Sequence, residues 1–345
     1  MLFIRFILAF TAFLIGIVLI IPALIVMLPF WFVTVTGKII KIFKPKISEW
    51  EDIIEFDQKL GWKSKPNIDT NMEIDGVYHI TIGKDGYRGN YDLKESDVVV
   101  IGDSFVFGQG TDDKHYFGNL TKLAKVKPVG APGYGATHYL LLLKTLATEL
   151  KGKLVIWFVY TGNDYREAIR PVSYGYHFPF VFQNSSTGKW EIKTDHITEK
   201  KLPFHFDKGY NTSMREFADL FSKNYLSDYA FSAFEYLTSE AKKHCDKNGA
   251  EFAVVTFPVR WLIDGSYANK IKRHASEPEH FSLTYPDEEV KRLCNRNGIT
   301  FRACLNDFIR EDFLPIDLHW SKKGNKKTAK IIDELYKSFL KNKSA

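Results

Sequence analysis

The feature that most restricts this chain is an uncharged run of 32 residues, Phe6 to Gly37, built mainly from Leu, Ile, Val and Phe. About 20 apolar residues suffice to cross a bilayer, so the run is long enough to span one. A secretory signal would have an apolar region of about 7–15 residues ending at a small-residue cleavage site, and neither condition holds here. The run is therefore read as a retained anchor. Pro22 and Pro29 would kink a single tilted span or break it into a re-entrant hairpin. Arg5, Lys38, Lys41, Lys44 and Lys46 flank it with no acid, so residues 1–46 carry +5. Ile39, Ile40, Ile42 and Phe43 interleave with those lysines, which suits a stretch lying on the membrane surface.

The rest of the chain is a different material. It holds 42 basic against 41 acidic residues, and a nearly neutral body argues against nucleic acid binding through a broad basic face. Cys245, Cys294 and Cys304 are too few for a disulfide scaffold and have no CxxC spacing. Residues 47–96 contain turn signals such as Asp75-Gly76 and Asp85-Gly86 around short alternating runs, Tyr78 to Ile82 among them, and read as a β-rich lead-in. From Val98 the rhythm changes. The continuous apolar run Val98 to Ile101 is expected of a strand buried on both faces. Helical periodicity follows near 113–124 and 136–150, with a short strand Val126 to Val129 between them. The strand Leu154 to Tyr160, a helix over about 214–247, a strand Phe252 to Phe257, a helix near 285–297, a short strand near 299–301 and a last helix from about Lys322 to Leu340 complete the pattern. Strands alternating with helices predict a three-layer α/β/α sandwich on a mainly parallel sheet, with chemistry in the loops beyond the strand carboxyl ends.

Four short motifs occupy those loops. Gly102-Asp103-Ser104 follows the first strand, where a serine can present a hydroxyl and its own N–H to one point; alone, so short a motif is more often a strand-to-helix turn with a capping serine. Gly130-Ala131-Pro132-Gly133-Tyr134-Gly135 is neither a dinucleotide loop nor a P-loop, and its glycines let a bare N–H approach a site. Gly162-Asn163-Asp164 offers an amide as an oxyanion donor, or an ordinary Asx-turn. Asp317-Leu318-His319-Trp320 places a histidine two residues from an aspartate on a loop, as a general base and its orienting acid require. None of the four is specific by itself.

Together, and in this order, they resemble the SGNH (GDSL-like) hydrolase superfamily over roughly residues 97–340. The resemblance implies Ser104 as nucleophile, His319 as base, Asp317 as acid, and an oxyanion hole from Ser104, Gly133 and Asn163. Many members place two residues between acid and histidine. The single Leu318 here is similar to the branch of alginate-type polysaccharide O-acetyltransferases. Leu60-Gly61-Trp62 to Pro66-Asn67 and Gly86-Tyr87-Arg88-Gly89 are similar to features of membrane-anchored relatives.

The expected organisation is an anchor and juxtamembrane segment at 1–46, the lead-in at 47–96, and a catalytic domain at 97–345 with an aromatic-rich insertion at about 171–212. That insertion holds Tyr174, Tyr176, Phe178, Phe180, Trp190 and Phe206, and is open to two readings: a wall or lid over the site, or a satellite hydrophobic cluster. The expected activity is hydrolysis or transfer of an acyl ester, acetyl on an envelope glycan first. A lipid-directed esterase and a catalytically silent scaffold of a glycan assembly complex are the alternatives. No cofactor, nucleotide or metal is called for, and protein partners are not readable. The lysine flank would place the catalytic domain in the cytoplasm. The anchored relatives imply an extracytoplasmic domain instead, and that is the expectation.

Overall fold

The computed structural model describes residues 46–202, 214–263, 265 and 267–344. The chain divides into two units, Met1–Lys46 and Ile47–Ala345, and all of the described strands and helices belong to the second. The expected membrane anchor, the amphipathic stretch after it and Phe206 lie outside the described residues. Among the described residues no helix is long and apolar enough to cross a membrane.

Five strands form one parallel sheet: β1 (Val98–Gly102), β2 (Val126–Gly130), β3 (Leu154–Tyr160), β4 (Glu251–Phe257) and β5 (Thr300–Ala303). Their spatial order is 2-1-3-4-5. The apolar runs dictate this arrangement, because a strand covered by helices on both faces cannot alternate with polar residues. Alternate side chains enter two separate cores. Val99, Ile101, Val155, Trp157 and Val254 pack on one face with helices α2 (Ala136–Thr145), α4 (Tyr225–Lys247) and α5 (Tyr285–Arg296). Val98, Val100, Ile156, Phe158 and Val255 pack on the other with the last helix, α6 (Lys322–Ser344), through Ala329, Ile331 and Ile332. Two short helices sit at the strand ends that matter below, α1 (Ser104–Phe107) after β1 and α3 (Asp164–Ala168) after β3. The strand order reverses between β1 and β3, and in open α/β sheets ligands bind outside the strand carboxyl ends at such a switch point.

The lead-in supplies two antiparallel hairpins, Ile54–Asp57 with Gly61–Ser64 and Ile68–Glu73 with Val77–Ile82. Arg88 ties it to the sheet. Its guanidinium is fully buried, donates to the carbonyls of Phe107, Gly108 and Thr111 at 3.1, 2.8 and 2.9 Å, and pairs with Asp113 at 2.6 Å. The insertion contains two further hairpins, Val172–Ser173 with Tyr176–His177 and Phe180–Gln183 with Trp190–Lys193. All three cysteines are buried and unpaired, and burial pushes the Cys245 and Cys294 thiols up to about 12.

Two expectations are corrected. Residues 113–124 do not form a helix but two 3₁₀ turns, Asp113–His115 and Phe117–Asn119. Tyr116 breaks the helix with an extended backbone (ψ 132°). Its buried ring lies 4.4 Å under the Arg88 guanidinium, and its hydroxyl donates to the Val106 carbonyl. The long helix starts at Tyr225 rather than near 214, because Asn224 caps it by accepting from the Ser227 N–H at 3.1 Å.

Arg88→Met should lower stability by about 3–5 kcal/mol, since it strands three carbonyls and the Asp113 carboxylate around the vacated site. Urea titration of both proteins checks this, and an unchanged midpoint would remove Arg88 from its structural role.

Candidate functional site

Ser104 opens α1 immediately after β1. The turn is tight enough to demand Gly102, where a Cβ would meet the Val106 side chain at 2.3 Å. Asp103 caps the helix, accepting from the Phe105 N–H at 2.9 Å. The Ser104 N–H, the first of the helix, has no hydrogen-bond partner among the described residues, as expected at a helix start.

His319 arrives from the far end of the chain. Residues 313–320 leave and rejoin the body through a Phe313–Trp320 bridge, closed by a 2.6 Å bond from the Leu314 N–H to the His319 carbonyl. Trp320 is the root of this excursion. It is buried against Phe105, Phe257 and Phe308, and its carbonyl accepts from the Thr111 hydroxyl at 3.1 Å. The His319 ring then lies 4.5 Å from the Phe105 ring, with Nε2 2.7 Å from Ser104 Oγ. Nδ1 is hydrogen-bonded to Asp317 Oδ1. Leu318, with φ 77°, is the left-handed residue that turns both flanking side chains inward, a conformation an L residue adopts only where its surroundings fix it.

Gly133 and Asn163 line the same cavity, of about 570 Å³, as Ser104 and His319. Gly133 has φ 80°, and a Cβ there would approach the Trp62 ring at 3.0 Å; only glycine suits this position. Its N–H also has no partner among the described residues. Asn163 precedes α3, and its Oδ1 is buried without a partner. An orphaned buried oxygen is costly, so the amide is held by its surroundings rather than by its own bonds. Four of the five residues singled out in the sequence thus line one cavity, and the fifth, Asp317, joins them through His319 Nδ1.

The sequence pointed less clearly to what surrounds them. Trp50, Trp62, Met72, Ile74 and Tyr78 of the lead-in form much of the cavity wall, and the Trp62 Nε1 donates to the Pro132 carbonyl at 3.1 Å. Asp75, at the turn of the second lead-in hairpin, accepts from the backbone N–H groups of Ile316 and Asp317 at 2.7 and 3.1 Å. It fastens the tip of the histidine loop. The aromatic insertion divides between its two readings: Tyr174 and Tyr176 line the cavity, whereas Trp190 packs on Tyr229 and Tyr236 of α4.

Two buried acids underlie the site. Burial raises Asp103 to about 6, against the bond from the Phe105 N–H and the attraction of His319. Asp164 is raised well above the usual carboxylate range by burial and then by the charge of Asp103. It accepts from the Tyr139 hydroxyl and the Tyr160 N–H at 2.8 and 2.7 Å, which pins the start of α3 beneath Asn163.

No family model and no curated protein matches the chain. Solved structures similar to it include a candidate acylhydrolase from Bacteroides fragilis, at 13% identity over 73% of this chain and 90% of that one, with a TM-score of 0.38. Another is an acetyl xylan esterase from the rumen bacterium Butyrivibrio proteoclasticus, at 12% identity over 74% of this chain and 67% of that one, with a TM-score of 0.36. Likenesses this slight carry no functional argument, and the chemistry open to the site rests on its own residues.

Asp75→Ala should loosen the 313–320 loop and reduce turnover of an activated ester about 10–100-fold, the scale of a misplaced reacting group, with Asp75→Asn less impaired; equal rates in all three proteins would dismiss Asp75 as a positioning residue. Asp103→Asn tests the buried charge. With Asp103 raised to about 6, the folded chain binds a proton more tightly than the unfolded one, so this group's contribution to stability falls as pH rises from about 4 through 6. The asparagine can still accept the Phe105 N–H. Its Tm should exceed wild type at pH 7.5 and the gap should close toward pH 4; a gap independent of pH would contradict the assignment.

Proposed function

We propose that this chain is a serine-dependent acyl-ester enzyme of the SGNH type, a hydrolase or an O-acyltransferase. One observation carries the reading: Ser104 Oγ lies 2.7 Å from His319 Nε2 while Nδ1 engages Asp317. In that arrangement Nδ1 bears the proton and Nε2 is free to accept one.

Ser104 Oγ attacks the ester carbonyl carbon and its proton passes to His319 Nε2. Asp317 stabilises the imidazolium that forms, and the ionised Asp103 adds to the same effect. The oxyanion draws on the N–H groups of Ser104 and Gly133 and the Asn163 amide. Collapse of the tetrahedral intermediate breaks the bond to the alcohol, which leaves with the proton from Nε2. A water or a sugar hydroxyl then attacks the acyl-serine, again losing its proton to His319, and Ser104 is restored. No step calls for a cofactor.

The first substrate in this proposal is an O-acetylated envelope glycan, reached by a chain anchored through residues 6–37 with its catalytic unit outside the cytoplasm. The cavity's apolar wall, Trp50, Met72 and Ile74 among it, favours a second reading, an ester bearing a longer acyl chain. A silent scaffold has no use for the serine–histidine bond.

The wild-type chain should label with a fluorophosphonate and cleave p-nitrophenyl acetate, and Ser104→Ala should abolish both. Asn163→Ala should stay folded and lose about 10²–10³ in kcat, the usual loss for one oxyanion donor. Wild-type protein that neither labels nor cleaves would overturn the proposal. Stimulation by an added oligosaccharide separates transferase from hydrolase.

A further inference from the structure

On the other side of the histidine loop lies a second cleft, of about 530 Å³. The loop divides the two: His319 lines the Ser104 cavity, and its neighbour Leu318 lines the cleft. Two features set the cleft apart. The first is charge. Arg260, Lys270, His274 and Arg310 border it, and no acid does among the described residues, in a body whose net charge is only +1. Lys270 has only the face of Tyr267, 4.9 Å from its ammonium, and neither it nor the His274 ring has an ion pair or side-chain hydrogen bond among the described residues. Arg260 braces the loop by donating to the Pro315 carbonyl at 2.6 Å.

The second is exposed apolar surface. Ile316, at the loop tip, is 80% exposed, and Trp261 and Tyr267 beside it are 37% and 48% exposed. Ile309, next in the chain to Arg310, is 53% exposed. Large apolar side chains gathered in one place on a protein surface mark an interaction site. The chemistry of this one is mixed: Trp and Tyr, which favour the headgroup level of a bilayer, aliphatic tips that gain only by leaving water, and cations along the cleft. The Asp75 carboxylate at the loop tip is taken up by the Ile316 and Asp317 N–H groups. A saccharide would use the cations and the aromatic faces but would leave Ile316 and Ile309 without a partner. An apolar boundary beneath anionic headgroups uses all of them. The uncharged run Phe6 to Gly37 in the same chain supplies a reason for such a boundary to be near.

We propose that this face, Trp261, Tyr267 and Ile316 with Arg260 and Lys270, docks on a membrane surface that carries anionic phospholipid. The apolar tips enter the headgroup–acyl boundary and the cations meet lipid phosphates, an attraction that salt screens. Docking would hold the loop bearing Asp317 and His319 at the membrane. The inference uses no step of the ester chemistry and stands or falls separately from it.

The native cysteines are all buried, so a single introduced cysteine can be labelled selectively. Full-length Ile316→Cys carrying an environment-sensitive fluorophore is mixed with vesicles of phosphatidylcholine alone or with 30% phosphatidylglycerol (roughly the content that gives an appreciable surface potential). Leu123→Cys, at an exposed position bordering α6, is the reference. The 316 probe should blue-shift and be quenched by a lipid-borne quencher on the anionic vesicles, and high salt should weaken the response. Lys270→Glu should reduce it several-fold, and Trp261→Ala should do so without altering charge. Free glycerol phosphate should leave the probe unchanged. No shift on either vesicle, an equal shift at position 123, indifference to both substitutions, or a response to a soluble acidic oligosaccharide in place of vesicles would each overturn the proposal. Loss of ester cleavage in a protein whose 316 probe still responds would count against the enzymatic reading and not against this one.

Discussion

The site depends on one hydrogen bond between residues 215 positions apart, Ser104 Oγ and His319 Nε2. Neither residue could hold that geometry by its local sequence. Ser104 is fixed because β1 is buried on both faces and Gly102 lets α1 fold directly back on it. His319 is fixed because Trp320, the next residue, is sunk among Phe105, Phe257 and Phe308. Phe105 belongs to the serine's own helix and touches both the histidine ring and the tryptophan. The two halves of the site therefore share one aromatic core, and a core packed to crystal-like density is stiff, so a shift in one half is passed to the other.

The lead-in takes part in the same construction. It supplies the wall of the Ser104 cavity through Trp50 and Trp62, clasps the end of α1 through Arg88, and tethers the histidine loop through Asp75. The Arg88 guanidinium gives five donors in a rigid fork, and here they satisfy the carbonyls left open where α1 ends. A turn that short needs partners from outside, because a one-turn helix leaves nearly every backbone group at its ends, and the Tyr116 hydroxyl supplies another at the Val106 carbonyl. The hairpins before β1 are thus part of the machinery that keeps the serine in place.

Much of this was legible in the chain. The parallel strands announced themselves as uninterrupted apolar runs, and Ser104, Gly133, Asn163, Asp317 and His319 were legible because each follows a strand or precedes a helix in a fold whose chemistry gathers at strand ends. What failed was decided at long range. Residues 113–124 have helical periodicity, yet Tyr116 gains more by burying its ring under Arg88, about 28 positions upstream, than a helical turn would return. Asp75 reads as an ordinary turn residue, and nothing within the turn indicates that its carboxylate receives two N–H groups from residues 316 and 317. Asn224 did carry a local signal, the Asn-x-x-Ser spacing of a reciprocal cap, which helical periodicity on both sides obscured.

The buried carboxylates show where the site works against the fold. Asp103 and Asp164 lie close enough that the charge of one raises the other, and neither has a cation as its main partner. For stability alone, two amides would serve better, keeping the bonds to Phe105, Tyr139 and Tyr160 without burying charge. An ionised Asp103 beside His319 nevertheless favours the imidazolium that any base step at Nε2 must create, and it does so from inside the protein where water screens little. Asp164 holds the α3 start in place so that the Asn163 amide meets the cavity although its Oδ1 has no partner. Destabilising groups are expected where the chemistry needs them, and both acids sit at the β1–β3 switch point.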